Sequence, residues 1–381
     1  MRLELTEEQL KFKALVREFA EKEIAPIAQE IDRDGRFPSE VITKAAKLGL
    51  LGITIPKEYG GLGLDNISYA IAIEEISKVS GSLGLTLEAH NSLCTWHIYN
   101  KGTEEQRKKY VVPLAKGQYL GAWALTEPLA GSDAASIQTT AVREGDYWVI
   151  NGTKLFITNS DIAGTIVVMA VTDKSKRAKG ISAFIIEKGT EGLSYGKEED
   201  KLGLRACRTV EVILENCKVP KENLLGGEGM GFIGAMETLY GGRVGVAAMA
   251  VGIAQAAYEV SLKYSKQRKQ FGKYICEFQA IQWMFADMAT EIEAARLLAL
   301  RAAYLADIGK RYVKEASMAK LFASEVAMKI TTQAIQILGG YGYTEYYPVE
   351  RFFRDVKLCE IGEGTSEVER LIISREILKE L

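Results

Sequence analysis

The chain has 381 residues, 47% of them hydrophobic and 26% charged, with a net charge of −2 at pH 7. That is ample for a large core and too long for one small domain, so two or three domains are expected. No basic run offers a surface for nucleic acid, and two histidines (His90, His97) with five cysteines (Cys94, Cys207, Cys217, Cys276, Cys359) and no C-x-x-C pair make no metal-ligand cluster.

The odd, scattered cysteines read as reduced core or loop residues of a reducing compartment. The sequence begins without a basic region followed by an apolar run, and no run of about 18 apolar residues occurs. A cytoplasmic protein without signal peptide, transit peptide or membrane insertion is therefore expected.

Thr6-Glu7-Glu8-Gln9 has the spacing of a capping box, and Phe12, Leu15, Val16, Phe19 and Ile27 recur at helical intervals. Pro26 should kink or end that helix. Pro38-Ser39-Glu40 opens a second helix to about Leu48-Gly49, residues 66 to 80 predict a third, and another helical stretch follows Gly84. Thr103-Glu104-Glu105-Gln106 is a second capping box. β-branched runs then take over. Tyr147-Trp148-Val149-Ile150 predicts a strand ending in an Asn151-Gly152 turn, and further strands are expected at residues 164 to 171, 181 to 186 and 209 to 214. From Gly231 onward helical patterns return. Residues 278 to 306 present Ile281, Met284, Phe285, Met288, Ile292 and Ala295 on one face. Residues 315 to 338 present Ala319, Phe322, Ala323, Ala327, Ile330, Ile335 and Leu338. The segment Gly241 to Tyr258 is rich in Gly and Ala, which suits close approach of another backbone or a flat ligand. The order is helices, sheet, helices: an α+β chain with an N-terminal helical domain (1–120), a central β domain (121–231) and a C-terminal helical domain (232–381), expected to pack as one body.

One stretch organises the chemistry: Glu360-Ile361-Gly362-Glu363-Gly364-Thr365-Ser366-Glu367-Val368-Glu369-Arg370. It sets Glu363 between two glycines on a turn. Just beyond, Ser366 and Glu369 have capping-box spacing, and Val368, Leu371 and Ile372 begin an apolar stripe. A carboxylate held there in a dry pocket suits a general base. Taken alone, the same residues also suit a solvated loop acid beside an ordinary cap.

The wider pattern resembles a known family. Thr126-Glu127-Pro128-Leu129-Ala130-Gly131-Ser132-Asp133 is similar to the T-E-P-x-A-G-S-D signature of the acyl-CoA dehydrogenases. Asn151 to Asn159 resembles that family's second flavin segment, and Arg268-Lys269-Gln270-Phe271-Gly272 its R-x-x-F-G motif. Gln336-Ile337-Leu338-Gly339-Gly340-Tyr341-Gly342 resembles its Q-x-x-G-G-x-G segment, and Pro348 to Arg370 its C-terminal signature. The five blocks stand in the family's order over essentially the full chain. The resemblance implies a central β-barrel-like domain between an N-terminal helical domain and a C-terminal four-helix bundle.

It also implies a homotetramer with FAD. Trp123, Leu125, Thr126, Phe156, Ile157 and Thr158 would line the isoalloxazine, and Gly131 and Ser132 would lie where flavin and CoA phosphates approach. Arg268 and the segment from Gln336 to Gly339 and Gly340 would reach the ADP half of a neighbouring subunit's FAD, with Phe271, Gln279, Thr365 and Glu367 also touching cofactor. Ser132, Tyr240, Arg243 and Gly364 would contact substrate. Glu363 would take the α-proton of an acyl-CoA while the β-hydride goes to the flavin, giving the trans-2-enoyl-CoA in fatty acid or amino acid catabolism. Electrons would pass to an electron-transfer flavoprotein.

One branch of the family carries its base just before the arginine of the D-x-x-R helix; that position is Gly242 here, so Glu363 has no rival. Two departures bear on CoA contact: Tyr240 stands where aspartate is usual, and Cys207-Arg208 replaces a small hydroxyl pair. Trp96, Trp123, Tyr341 and Tyr343 are bulky enough to shorten an acyl pocket, or are plain wall and core residues. An acyl-CoA oxidase, a decarboxylating or other flavin enzyme on the same fold, or a non-catalytic binding subunit are the alternatives.

Overall fold

A computed structural model describes residues 4–379. The N-terminal part carries α1 (Glu7–Phe19), α2 (Ala28–Asp34), α3 (Ser39–Lys47), α4 (Asn66–Ser77), α5 (Gly81–Glu88), α6 (Trp96–Lys101), α7 (Glu104–Gln106) and α8 (Val112–Ala115). Thr6 with Gln9, and Thr103 with Gln106, close the two expected capping boxes. A π-helical stretch, Ala20–Ile24, leads to Pro26, and α2 restarts the helix beyond it. In α4 every residue from Ser68 to Ser77 is buried, and all of α5 is buried, so neither shows an amphipathic stripe.

The strands are β1 (Leu120–Ala124), β2 (Thr140–Glu144), β3 (Tyr147–Thr158), β4 (Ala163–Val171), β5 (Ile181–Glu187), β6 (Leu193–Glu198), β7 (Thr209–Pro220) and β8 (Leu224–Leu225). They form one sheet in the order β6-β7-β3-β2-β4-β5-β8, with β1 parallel on β4. Side chains alternate along β4. Ile166, Val168 and Ala170 enter a core shared with Trp148 and Phe184, whereas Val167 and Met169 face Leu93, Leu114 and Trp123. The sheet thus curls around one core and docks on the N-terminal helices through its other face. The expected turn at Asn151-Gly152 does not form. β3 runs through it, absorbing the irregularity as register shifts against β7 at Ile150/Gly152 and Lys154/Ile157.

The C-terminal part consists of α9 (Gly231–Ser265), α10 (Gln279–Asp307), α11 (Val313–Leu338), α12 (Val349–Val356) and α13 (Ser366–Lys379), with a short ribbon of β9 (Lys269–Gln270) and β10 (Lys273–Tyr274). Helices α9, α10 and α11 pack on one another, α13 lies on α11, and α4 of the N-terminal part lies along α9 and α10. On α11 the expected apolar face holds for Ala319, Ala323, Ala327, Ile330 and Leu338, while Phe322 turns outward and is 37% exposed. Among the described residues one helix, α9, is long and apolar enough to cross a membrane; 78% of that window is buried inside the chain.

The loop between β1 and β2 is pinned by a buried ion pair. Lys154 of β3 is fully buried, and its ammonium donates to Glu127 at 2.7 Å and to the Leu125 carbonyl at 3.1 Å. Glu127 also accepts from the N–H groups of Gln138 (2.5 Å) and Thr139 (3.0 Å). Burial pushes Lys154 down to about 8, with Glu127 pulling the other way. Lys154→Met would strand the carboxylate without a counter-charge, at a cost of about 3–5 kcal/mol. Its thermal unfolding midpoint should fall by several degrees; an unchanged midpoint would contradict this role.

Candidate active site

Glu363 lies on the loop from the 3₁₀ turn Lys357–Glu360 to α13. Its φ is 57°, a left-handed conformation uncommon for a side-chain-bearing residue, and Gly364 follows at 114°. Such a residue stores about 1–3 kcal/mol of strain, so the surroundings must hold it. They do so at both ends. The Leu358 carbonyl accepts from the N–H groups of Ile361 and Gly362 at 2.9 and 2.8 Å, and buried Lys320 of α11 donates to the Gly364 carbonyl. Thr365 then caps α13, its hydroxyl accepting from the Val368 N–H at 3.3 Å. The expected Ser366/Glu369 box is not made. Glu369 turns inward to Arg243, accepting from its Nε at 2.9 Å with both side chains almost wholly buried. A guanidinium serves a buried carboxylate better than a helix N–H does.

Glu363 is half-buried as a residue, but both carboxylate oxygens are buried and find no hydrogen-bond partner. Gly242 of α9 lies directly against them: a Cβ there would overlap Oε2 and sit 2.8 Å from Cδ. Burial pushes the carboxyl up to about 7, while Glu88, Arg243 and Lys320 restrain the rise. The backbone N–H of Glu363 meets no acceptor among the described residues. Gly242 is one turn from Gly245, whose face meets Tyr69 and Glu88. The glycine-rich stretch therefore does admit close neighbours, as its composition suggested.

The residues expected around a flavin fall into groups. Trp123 and Leu125 are buried with Leu93, Ala235 and Leu239, and the Trp123 Nε1–H donates to His97 Nδ1 at 2.9 Å. The Thr126 carbonyl accepts from the Leu155 N–H at 2.9 Å. Phe156 sits in the second β3 bulge with φ 60° and is 61% exposed, whereas Ile157 packs into the sheet core and Thr158 is half-buried. Gly131 and Ser132 are exposed, and a Cβ on Gly131 would meet nothing within 4 Å.

Arg268, Phe271, Gln279, Gln336, Gly339 and Gly340 are all exposed, Phe271 at 95%. Arg268, Gly339 and Gly340 line one cavity of about 450 Å³ with Ile337, Leu338 and Tyr341. Open glycines, an unburied aromatic beside a pinned loop, and an arginine on a cavity wall suit the planar ring and pyrophosphate of a dinucleotide. The residues present fit FAD. Thr365 is half-buried and Glu367 exposed at the α13 N-terminus.

Tyr240 is half-buried, edge-on to Tyr312 at 6.2 Å and 6.0 Å from the Arg243 guanidinium. Arg243 is only 3% exposed and is committed to Glu369, so the structure gives it to the wall behind Glu363. Cys207 is buried, accepting from the Thr86 hydroxyl at 3.4 Å, and Arg208 pairs with Asp161 and Glu198. Tyr343 is 87% exposed, and Tyr341 belongs to the Arg268 cavity. His90 is fixed between two backbones, its Nε2 2.9 Å from the Leu51 carbonyl and its Nδ1 accepting from the Gly121 N–H at 2.9 Å. Glu88, Tyr69, Lys320 and the Glu127–Lys154 pair escaped the sequence reading. The available signal was a lone charge inside an apolar run.

Three family models match in series: the acyl-CoA dehydrogenase N-terminal domain over residues 6–118, the middle domain over 122–217 and the C-terminal domain over 229–378. The chain is 55% identical to the short-chain-specific acyl-CoA dehydrogenase of Clostridium acetobutylicum, covering all of both chains. It is 47% identical to the solved butyryl-CoA dehydrogenase of Megasphaera elsdenii, over 99% of this chain and 100% of that one, with a TM-score of 0.98. A chain in the solved structure of the electron-transferring flavoprotein of Acidaminococcus fermentans is 54% identical, with full coverage of both and a TM-score of 0.98.

The buried carboxyl has a consequence for stability. Its folded pKa of about 7 lies above the ordinary 4.5, so the folded state holds the proton more tightly. That stabilisation is present at low pH and is lost as pH rises between these two values. Glu363→Gln, which has no charge to bury, should gain thermal stability relative to the natural chain as pH rises from 5 to 8. Parallel melting curves for the two proteins across that range would refute the assignment.

Proposed function

The chain belongs to the acyl-CoA dehydrogenase family, and on that premise we propose that it dehydrogenates an acyl-CoA thioester to the 2-enoyl-CoA with FAD, passing the electrons to an electron-transfer flavoprotein. The observation that carries this reading is the Glu363 carboxylate: buried, with both oxygens free, on a turn fixed from both sides. The similarity to a short-chain-specific enzyme and a butyryl-CoA dehydrogenase supports a short acyl group. The likeness to a chain in an electron-transferring flavoprotein structure supports the partner.

Glu363 removes the α-proton. A carboxylate is too weak a base for that task unless negative charge on the thioester oxygen is stabilised as it develops. The unpartnered N–H of Glu363 is a donor available for that oxygen. A base poised near neutrality can both accept the proton and release it afterwards. FAD, held by the residues named below, would supply the two-electron oxidant that the loss of the β-hydride requires.

Trp123, Leu125, Thr126 and Phe156, with Ile157 and Thr158 through their backbone, would hold the ring. Gly131 and Ser132 would meet phosphate. The exposed set of Arg268, Phe271, Gln279, Gln336, Gly339 and Gly340 would grip the ADP half bound mainly by another copy, which supports a homotetramer, and Thr365 and Glu367 would complete the contact. Ser132, Tyr240 and Gly364 remain the substrate contacts, with Arg243 acting through Glu369. Five unpaired cysteines agree with a reducing, cytoplasmic setting.

Anaerobic titration with straight-chain, branched, cyclic and dicarboxylic acyl-CoAs tests the reaction. Flavin absorbance should bleach with a short acyl-CoA. Glu363→Gln should keep its flavin and bleach about 10²–10⁴-fold more slowly. Bleaching at the natural rate in that variant would overturn the assignment. Cofactor grip is read separately. Arg268→Ala should lower the flavin-to-protein ratio after gel filtration, and Arg268→Lys should not restore it, because a point charge lacks the bidentate fork. Full flavin retention in both variants would remove Arg268 from the site.

A further inference from the structure

Behind Glu363 stands a second buried acid. Glu88, the last residue of α5, is fully buried, and its Oε1 accepts from the Ser92 hydroxyl. Its Oε2 has no partner, and neither has the hydroxyl of Tyr69, itself 4% exposed. The two carboxyl groups lie along one face of α9, one turn apart: Gly242 abuts Glu363, and a Cβ on Gly245 would sit 2.7 Å from Glu88 Cγ and overlap the Tyr69 hydroxyl. Both glycines are needed for the two acids to share this space.

Three carboxylate oxygens without a partner therefore lie buried here, beside a phenol, Tyr69, that also lacks one. Two adjacent buried carboxylates cannot both carry charge at ordinary cost. The missing donor is supplied if one of the acids keeps its proton.

We propose that Glu88 is a positioning residue: it stays protonated and donates its Oε2–H to the carboxylate of Glu363, while Ser92 holds its other oxygen. Glu88 is the member that keeps the proton because of what faces each acid. Around Glu363 stand Arg243 from α9, Lys320 from α11, Glu369 from α13 and Tyr69 from α4. Glu88 faces Glu363, Tyr69, Ser92 and Cys207, with no cation among them. Its burial and the neighbouring acid both favour its neutral form, and the hydrogen bond it donates favours the ionised form of Glu363. The arrangement fixes the direction of the base and holds its proton affinity near neutrality. It deepens the role given to Glu363 above and rests on that reading.

The experiment compares the holoenzyme with Glu88→Gln and Glu88→Leu. In infrared spectra at pH 8, the natural protein minus Glu88→Gln should show a protonated-carboxyl band that shifts in D₂O. Its absence would show Glu88 ionised and would overturn the proposal without reference to any reaction. In anaerobic single-turnover bleaching, Glu88→Gln still donates, so the acid limb of its pH profile should stay within about 0.3 of the natural one. Glu88→Leu removes the donor and should move that limb up by about one pH unit, slowing bleaching at pH 7 about fivefold and converging with the natural rate near pH 9. Coincident limbs in all three proteins would also overturn it. If no acyl-CoA bleaches any of them, the dehydrogenase reading falls, while the infrared band still decides the protonation of Glu88. If Glu88→Leu does not fold, the band and the Glu88→Gln profile remain decisive.

Discussion

The arrangement depends on burying a carboxylate that is left without a fixed partner. An isolated buried charge is among the least favourable things a protein can hold. Here the cost is offset by distributed opposition. Lys320 ties down the loop carbonyl next to Glu363, and Arg243 is held by Glu369 at the back of the site. Neither cation is hydrogen-bonded to Glu363 itself, so neither takes up its oxygens. A direct salt bridge would be more stable and chemically inert. Two glycines on α9 set the distances, since any side chain at 242 or 245 would displace the acids.

The sheet's part is to present a loop at fixed height. Glu127 and Lys154 clamp the β1–β2 loop onto β3, and Trp123 reaches back to His97, joining the sheet to the N-terminal helices. His97 is pushed down to about 3 by burial, and His90 to about 4, so both remain neutral acceptors or donors in fixed roles. The chemistry of the centre is left to carboxyl groups, amides and whatever binds them.

Much of this was legible in the sequence because it depends on local rules. Both threonine capping boxes closed as written, and the apolar spacing of α10 reported its buried face. Glu363 stood out through its flanking glycines. The misreadings share a different cause: a long-range partner outbid a local one. Gly152 signals a turn, but strand pairing with β7 carries β3 through it. Ser366 and Glu369 have the spacing of a cap, but Arg243, distant in sequence, claims the glutamate and leaves Thr365 to do the capping. Glu88 was invisible for the same reason. In the run Gly84 to Leu93 it reads as an ordinary helix-end acid, and only the approach of α9 and the Glu363 loop makes it part of the site.

The apolarity of α9 has a consequence at the ribosome. The helix is composed for burial on nearly every side, because it must touch α4, α10 and α11 and admit two acids through its glycines. During synthesis α4 is already available when α9 emerges, but α10 and α11 are not yet made. For that interval the nascent chain carries a long apolar helix whose later partners are absent, the kind of transiently exposed surface that favours aggregation. The composition that lets this helix pack closely in the finished molecule thus leaves its apolar faces uncovered until the segments that follow it are made.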